Sequence, residues 1–163
     1  MTCVDAFEST CDMGGNTMLY NADDVSGTVT FTHQTCSDGS WNVRLSGDLD
    51  CPGCNSADAN THGFHIHQKG SLYNGDGAFD CTATGPHFSD GTDNGTSGGS
   101  LPHGESSNDS ANRHYGDLGN VVEVGGAISV DIQDSIISLD STHETYIGGR
   151  SIGKTILLIP LTT

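Results

Sequence analysis

Apolar and polar residues alternate along several short stretches of the chain, which is the pattern of β-strands that bury one face. Clear alternation covers residues 26–33, 41–46 and 62–68, and further short stretches that predict strands cover residues 17–21, 121–124, 127–132, 136–139 and 155–161. Gly125-Gly126 separates two of them and predicts a tight hairpin. No stretch has helical periodicity. The pattern therefore predicts an all-β domain, a sandwich or barrel of short strands.

One long polar segment interrupts this pattern. Residues 69–118 are rich in Gly, Ser, Asp and Asn. Segments of this length inside a compact domain are usually either disordered or functional. This one contains His87, His103 and His114. Because disordered linkers rarely carry three histidines, we interpret the segment as a functional loop.

The cysteine content indicates an oxidising, extracellular environment. Six cysteines are disulfide candidates: Cys3, Cys11, Cys36, Cys51, Cys54 and Cys81. Asn94 and Asn108 stand in glycosylation sequons, which point the same way. The first residues carry neither a basic patch nor an apolar run, so either the protein is intracellular or this is the mature form of a secreted protein. The cysteines favour the mature form.

The charge is strongly acidic, with 21 acidic residues against 5 basic ones and a net charge of −16. The basic residues form no cluster, which argues against nucleic acid as a partner. No run of 18 apolar residues is present to span a membrane. The acidity either keeps the protein soluble or attracts divalent cations. Pairs such as Asp48/Asp50 and Asp131/Asp134 offer ligands for weak calcium binding at the surface.

Histidines in two places suggest a metal site. His65 and His67 are two residues apart in a predicted strand, so both rings leave the same face. This pair alone is equally consistent with a polar strand face. The loop adds four residues of ligand type: His87, His103, His114 and Asp117. Three nitrogens and one carboxylate form the tetrahedral set that structural zinc prefers, although scattered surface histidines remain the alternative.

Five sequence blocks, in this order, carry a resemblance to a known family. They are His62-Gly-Phe-His-Ile-His-Gln, Thr84-Gly-Pro-His-Phe, Pro102-His-Gly, Arg113-His-Tyr-Gly-Asp-Leu-Gly-Asn-Val and Asp134-Ser-Ile-Ile-Ser-Leu. Together they resemble the Cu/Zn superoxide dismutase family over roughly residues 17–160. The resemblance implies a Greek-key β-barrel or sandwich with a long metal-binding loop.

The resemblance also implies a role for each matching residue. His65 and His67 correspond to copper ligands, and His87 corresponds to the histidine that bridges copper and zinc. The remaining zinc ligands correspond to His103, His114 and Asp117. His62 corresponds to a histidine that braces the loop without binding metal, and His33 is interpreted as structural.

The copper side departs from the family pattern. The family's fourth copper histidine ends a strand that begins with Gly-Arg-Thr. Starting from Gly153 this position falls on Ile159, and starting from Gly149 it falls on Thr155. Neither side chain can bind copper, and His143 corresponds to a histidine that is not a ligand. The family's charged loop with its arginine has no counterpart before the chain stops. We therefore expect a weak or empty copper position and little or no dismutase activity.

The family's last strand also has no counterpart in this interpretation. We divide the chain into an N-terminal extension, residues 1–15, as a candidate replacement strand, and a dismutase-like domain, residues 16–163. In the family, the cysteine before Gly-Pro-His-Phe bonds a cysteine of the last strand. No cysteine follows Cys81 here, so we expect Cys81 to pair upstream, with Cys3 or Cys11.

More narrowly, the acidity, the signs of secretion and the damaged copper site resemble the haemolymph proteins of bivalve molluscs of the cavortin, dominin or pernin type. This resemblance implies an extracellular zinc protein that handles divalent metal ions, with calcium as a weak surface ligand. Two alternatives stay open: an active dismutase with copper on three histidines, and an interaction protein that reuses the barrel. Whether the chain forms a homo-oligomer is left open as well.

Overall fold

In the structure, a computed structural model, the regular secondary structure of the described residues is almost entirely β-strand. The structure describes residues 2–13, 26–51, 61–70, 73, 75–77, 81–89, 113–154 and 157–160. Within these ranges lie β1 (Cys3–Met13), β2 (Ser26–Cys36), β3 (Trp41–Asp50), β4 (Thr61–His67), β5 (Asp117–Val124), β6 (Ala127–Asp134), β7 (Ser151–Lys154) and β8 (Leu157–Pro160). Their helical content is one short 3-10 helix, Cys81–Thr84. None of the described helical residues forms a segment long and apolar enough to cross a bilayer.

The strands form one curled antiparallel sheet. Their order is β1-β2-β3-β6-β5-β4-β7-β8, so β6 lies beside β3 and β4 lies between β5 and β7. Long connections between non-consecutive neighbours of this kind are typical of Greek-key folds. The strand at one end, β8, approaches β1 at the other end, which curls the sheet toward a barrel. The predicted all-β fold class is confirmed.

The alternating stretches bury the side chains that the pattern assigns to the core. Val29 and Phe31 on β2 are almost fully buried. The same core contains Val43, Leu45, Phe64, Ile66, Leu118, Ile128, Val130 and Ile152. His33, the next residue on the inner face of β2, stacks on Trp41 with ring centroids 5.7 Å apart. This contact fits the structural role expected for His33.

Two predicted strands differ in the structure, and a third lies outside the described residues, at 17–21. Residues 136–139 form no strand, because the Asp134 carboxylate accepts the backbone N–H groups of Ile136 and Ile137 at 2.8 and 2.9 Å. These donors are therefore not available to a strand ladder. The stretch 155–161 contains the shorter strand β8. At the predicted hairpin, Gly125 and Gly126 have positive φ angles of 63° and 86°, as a tight turn requires.

The end of the sheet differs from the expectation that the last strand is missing. β8 pairs with β7 from Ser151↔Pro160 to Lys154↔Leu157. Only residues 155 and 156 stand between the two strands. The N-terminal segment contributes β1 at the opposite end of the sheet, where it pairs with β2. The place beside β7 is thus taken by β8.

A disulfide joins β1 to β2. Cys3 and Cys36 are paired across the two strands, and their sulfur atoms are bonded. Cys51 is also disulfide-bonded. The suggested bond between Cys3 and Cys81 is therefore wrong, because the neighbouring strand already places Cys36 against Cys3. Cys54 and the side chains of Cys11 and Cys81 lie outside the described residues.

Peptide mapping of the unreduced protein should join Cys81 to Cys11. The family resemblance leads us to expect Cys3 or Cys11 as the partner of Cys81, and Cys3 is bonded to Cys36, which leaves Cys11. Mass spectrometry of a digest under non-reducing conditions makes the measurement, with the linked Cys3 and Cys36 peptides as the internal control. A free Cys81 thiol, or a bond from Cys81 to any other cysteine, would contradict the pairing.

Candidate metal centre

Strand β4 presents two histidines on one face. Phe64 and Ile66 point into the core and are almost fully buried, whereas His65 and His67 alternate with them and are half-buried. The ring centroids of His65 and His67 are 5.1 Å apart. The strand period thus brings together the two imidazoles that the sequence predicts on one face. His62, on the same strand, is buried.

A short segment lays His87 against the end of β4. The N–H of Gln68 donates to the carbonyl of Pro86 at 2.9 Å, and the N–H of Phe88 donates to the carbonyl of Ile66 at 2.8 Å. These bonds place the His87 ring 4.0 Å from the His65 ring and 5.2 Å from the His67 ring, between centroids. One nitrogen from each of the three rings lies within 4.8 Å of the others. We call these residues the three-histidine group.

The segment 113–117 adds a second group that shares His87. The N–H of Gly116 donates to the Phe88 carbonyl, and the Gly116 carbonyl accepts the N–H of Ile66, both at 2.9 Å. The Asp117 carboxylate consequently lies between two rings, with Oδ1 2.5 Å from His87 Nδ1 and Oδ2 3.0 Å from His114 Nδ1. His114 and Asp117 are both buried. His103, the fourth predicted zinc ligand, lies outside the described residues.

A buried arginine holds this second group in place. Arg113 is 1% exposed and forms an ion pair with Asp134 at the end of β6. The same guanidinium donates to the carbonyls of Tyr115 at 3.0 Å and Asp117 at 2.7 Å. The backbone next to the two ligands is therefore fixed to the sheet through one side chain.

The three-histidine group fits a metal ion. The Nδ1–H of His67 donates to the carbonyl of Gly85 at 2.8 Å, which leaves the lone pair on Nε2. This Nε2 is buried and has no hydrogen-bond partner in the described part of the chain. Burial lowers the pKa of His67. The hydrogen bond to Gly85 raises this pKa and the nearby His87 lowers it, so that it lies below its ordinary value. A neutral imidazole with a free lone pair is the form that binds a metal.

The second group has the donor set of a zinc site. Burial of Asp117 works to raise the pKa of this carboxyl group. The hydrogen bond from His87 and the charges of His87 and His114 together outweigh burial, so that the pKa lies below its ordinary value. An ionised carboxylate beside two imidazoles is a set that zinc accepts. The atoms that would hold zinc here are the Asp117 oxygens and the ring nitrogens of His87 and His114.

Comparison with known proteins agrees with this geometry. Residues 25–156, most of the chain, match the sequence model of copper/zinc superoxide dismutase. This chain belongs to the Cu/Zn superoxide dismutase family. Copper and zinc are accordingly the metals that the family implies for the two groups.

Several relatives of the family are similar to this chain. An extracellular superoxide dismutase [Cu-Zn] of Haemonchus contortus is 40% identical over 92 residues, which are 56% of this chain and 41% of that protein. The superoxide dismutase [Cu-Zn] A of Xenopus laevis is 35% identical over 82% of this chain and 72% of its own length. The dismutase of Schizosaccharomyces pombe is 38% identical over 82% of this chain and 70% of its own length.

A solved structure supports the fold. Superoxide dismutase 5 of Candida albicans, in a Cu(II) form, superposes with a TM-score of 0.61 at 22% identity. The match covers 98% of this chain and 91% of the other. At this identity the likeness concerns the fold alone.

Strand β7 pairs with β4 beside His65 and His67, the two predicted copper ligands. His65 is paired with Gly153, and His67 is paired with Ser151. Ile159 lies on β8 opposite Ile152, one strand further from β4. Thr155 directly follows β7 and lies outside the described residues.

His143 stands apart from the family's ligand positions. It packs against Trp41 with ring centroids 5.1 Å apart, and its Nδ1 is 2.9 Å from Thr145 Oγ1. Among the described residues it belongs to neither metal-binding group.

Sequence reasoning assigned no role to two arginines that support the site. Arg113 anchors the second group. Arg150 lies over the ring of Phe88, the residue after His87, and the central carbon of its guanidinium is 3.4 Å from the ring centroid. The signal that could have found them is their place in the resemblance. Arg113 stands in one of the five sequence blocks, and Arg150 follows Gly149 in one of the two alignments with the family's Gly-Arg-Thr.

Replacing Gly116 by Ala should damage the metal centre. A Cβ at this position would overlap the carbonyl oxygen of Ile66 and press on the backbone of Phe88. Ile66 belongs to β4 and Phe88 is hydrogen-bonded to it, so neither can move without moving β4. We expect the free energy of unfolding to fall by about 1–3 kcal/mol, as for other overpacked sites, and zinc retention to fall with it. Chemical denaturation and elemental analysis measure the two effects.

The matched control is Gly75→Ala, because a Cβ at Gly75 meets no atom within 4 Å. This variant should behave like the wild type. If Gly116→Ala were equally stable and equally rich in zinc, the close contact between the two segments would not be what holds the centre together.

Proposed function

We propose that this protein is an extracellular zinc-binding member of the family, with an incomplete copper site and little or no superoxide dismutase activity. The observation that carries the proposal is the pairing of β4 with β7. It supports an alignment of the segment from Gly149 with the family's Gly-Arg-Thr strand. Under this alignment the fourth copper position falls on Thr155 rather than on Ile159. A threonine is no substitute for the fourth imidazole.

The connection after β7 supports the same conclusion. Only residues 155 and 156 lie between β7 and β8. The family's charged loop, which carries an arginine over the copper, stands between the corresponding strands. Two residues cannot form such a loop, and a net charge of −16 repels the superoxide anion. In this proposal, and among the residues that the structure describes, the group has neither a fourth ligand nor a guiding cation.

The zinc side supports a binding role. His87, His114 and Asp117 converge, and we propose His103 as the fourth ligand. Metal bound there contributes its binding free energy to folding of the loop that carries the ligands. Zinc then serves either as a structural ion or as cargo.

The physiological setting is a further part of the proposal. We propose a circulating protein like the bivalve haemolymph proteins, which handles divalent metal ions and binds calcium weakly through surface carboxylates. The disulfide between Cys3 and Cys36 and the similarity to an extracellular relative support secretion. Glycosylation at Asn94 and Asn108 and the division into residues 1–15 and 16–163 stay predictions.

An active dismutase is the second candidate function. The three-histidine group supports it, because three imidazoles with a buried lone pair on His67 can bind copper without a fourth ligand. Activity measurements on the metal-loaded protein separate the two functions.

Protein purified without added metal should contain about one zinc ion per chain, as a single four-ligand site implies. His114→Ala should remove most of it, because the carboxylate of Asp117 then loses one of its two imidazole partners. Elemental analysis makes the measurement. His143→Ala, which changes a histidine outside both groups, should keep its zinc. Equal zinc in the His114→Ala variant would refute the assignment of the site.

Thr155→His should restore copper binding, and Ile159→His should not. A histidine at 155 would stand at the position aligned with the family's fourth copper ligand, whereas residue 159 lies on the next strand. We expect Thr155→His to raise the Cu(II) affinity by at least about tenfold, because even residues that only hydrogen-bond to a metal ligand change the affinity by that factor. Competition with a chelator and a superoxide assay on the same samples measure affinity and activity.

The wild type should show little activity at any copper loading. Robust activity that scales with bound copper in the wild type would instead favour the active dismutase. A gain confined to Ile159→His would show that the strand alignment is wrong.

A further inference from the structure

Arg150 connects three segments around the three-histidine group. Its Nη1 donates to the carbonyl of Gln68 at 2.6 Å, and its Nε donates to the carbonyl of Tyr146 at 3.0 Å. Its guanidinium also lies over the ring of Phe88, 3.4 Å from the centroid. Gln68 follows His67 in sequence, and Phe88 follows His87. One side chain thus contacts the residue next to each of two metal-binding histidines.

Two backbone hydrogen bonds, from Gln68 to Pro86 and from Phe88 to Ile66, set the spacing of His67 and His87. We call this pair of bonds the seam, and Arg150 has contacts on both sides of it. Arg150 binds the carbonyl of Gln68 on the β4 side and covers Phe88 on the other side. A shift of either segment would cost Arg150 one of its contacts.

The chemistry of the contacts requires an arginine. A planar guanidinium can lie flat on an aromatic ring and still donate in two directions, which a lysine ammonium on a flexible stem cannot do. No carboxylate of the described residues forms an ion pair with Arg150. In a chain with net charge −16, this cation is instead engaged by two carbonyls and a ring.

We propose that Arg150 is a positioning residue for the three-histidine group, which fixes the segment carrying His87 against the end of β4 carrying His67. It acts through Gln68 and Phe88 and does not itself bind metal. The inference holds whether or not the protein is an active dismutase, because it concerns the spacing of the imidazoles. The second group shares His87, but the hydrogen bond from His87 to Asp117 and the Arg113–Asp134 ion pair hold that group without Arg150, so it should tolerate the loss of Arg150.

The test compares Arg150→Met, Arg150→Lys and the control Arg44→Met in zinc-loaded protein. Arg44 is a surface residue whose ion pair with Asp131 lies on the outside of β3 and β6. Each variant is made in the wild type and in the Thr155→His background. Cu(II) affinity is measured by chelator competition, the ligand field by electron paramagnetic resonance, and the seam by hydrogen exchange at the amides of Gln68 and Phe88.

We expect Arg150→Met to lower Cu(II) affinity by on the order of tenfold or more, the usual effect of losing a partner of a metal ligand. Its resonance spectrum should change and the two seam amides should exchange faster, while zinc content stays at the wild-type level. Arg150→Lys should lie in between, and Arg44→Met should match the parent protein. Unchanged copper affinity, spectrum and seam exchange in both Arg150 variants would overturn the proposal. So would loss of zinc together with faster exchange across the whole sheet, which would indicate a general structural role.

Discussion

The buried ion pair between Arg113 and Asp134 is the interaction on which the metal centre depends. Both side chains are 1% exposed, and the second oxygen of Asp134 binds the backbone N–H groups of Ile136 and Ile137. Removing one partner of such a pair costs about 3–5 kcal/mol, because the other charge is left buried and uncompensated. The pair therefore ties the backbone beside His114 and Asp117 to the end of β6, and it adds to the backbone bonds of Gly116 that place the same segment against β4.

The two metal groups share His87 but are held by different means. Buried polar contacts from Arg113 and Asp117 hold the zinc side. Backbone pairing between β4, the segment around His87 and β7 holds the copper side. Under the proposed function, a change at the end of β7 would remove a copper ligand while the contacts of the zinc side stay in place.

The sequence alone predicts the strands and the shared face of His65 and His67, because these follow from the two-residue period of a strand. The convergence of His87, His114 and Asp117 is predicted only by the family resemblance. No local rule brings residues 30 positions apart together across a loop. The aliphatic run near the end allows two alignments, Ile159 or Thr155, and our proposal of Thr155 rests on the long-range pairing of β7 with β4. The bond between Cys3 and Cys36 likewise could not be predicted from the sequence, because six cysteines allow 15 pairings.

Anomalous diffraction from crystals grown with equimolar zinc and copper tests the central claim most directly. Data at the two absorption edges give the identity and occupancy of the metal at each group. The account predicts a strong zinc peak among His87, His114 and Asp117, and weak or no copper signal at His65 and His67. Full copper occupancy at His65, His67 and His87, with a fourth protein ligand in place, would contradict it.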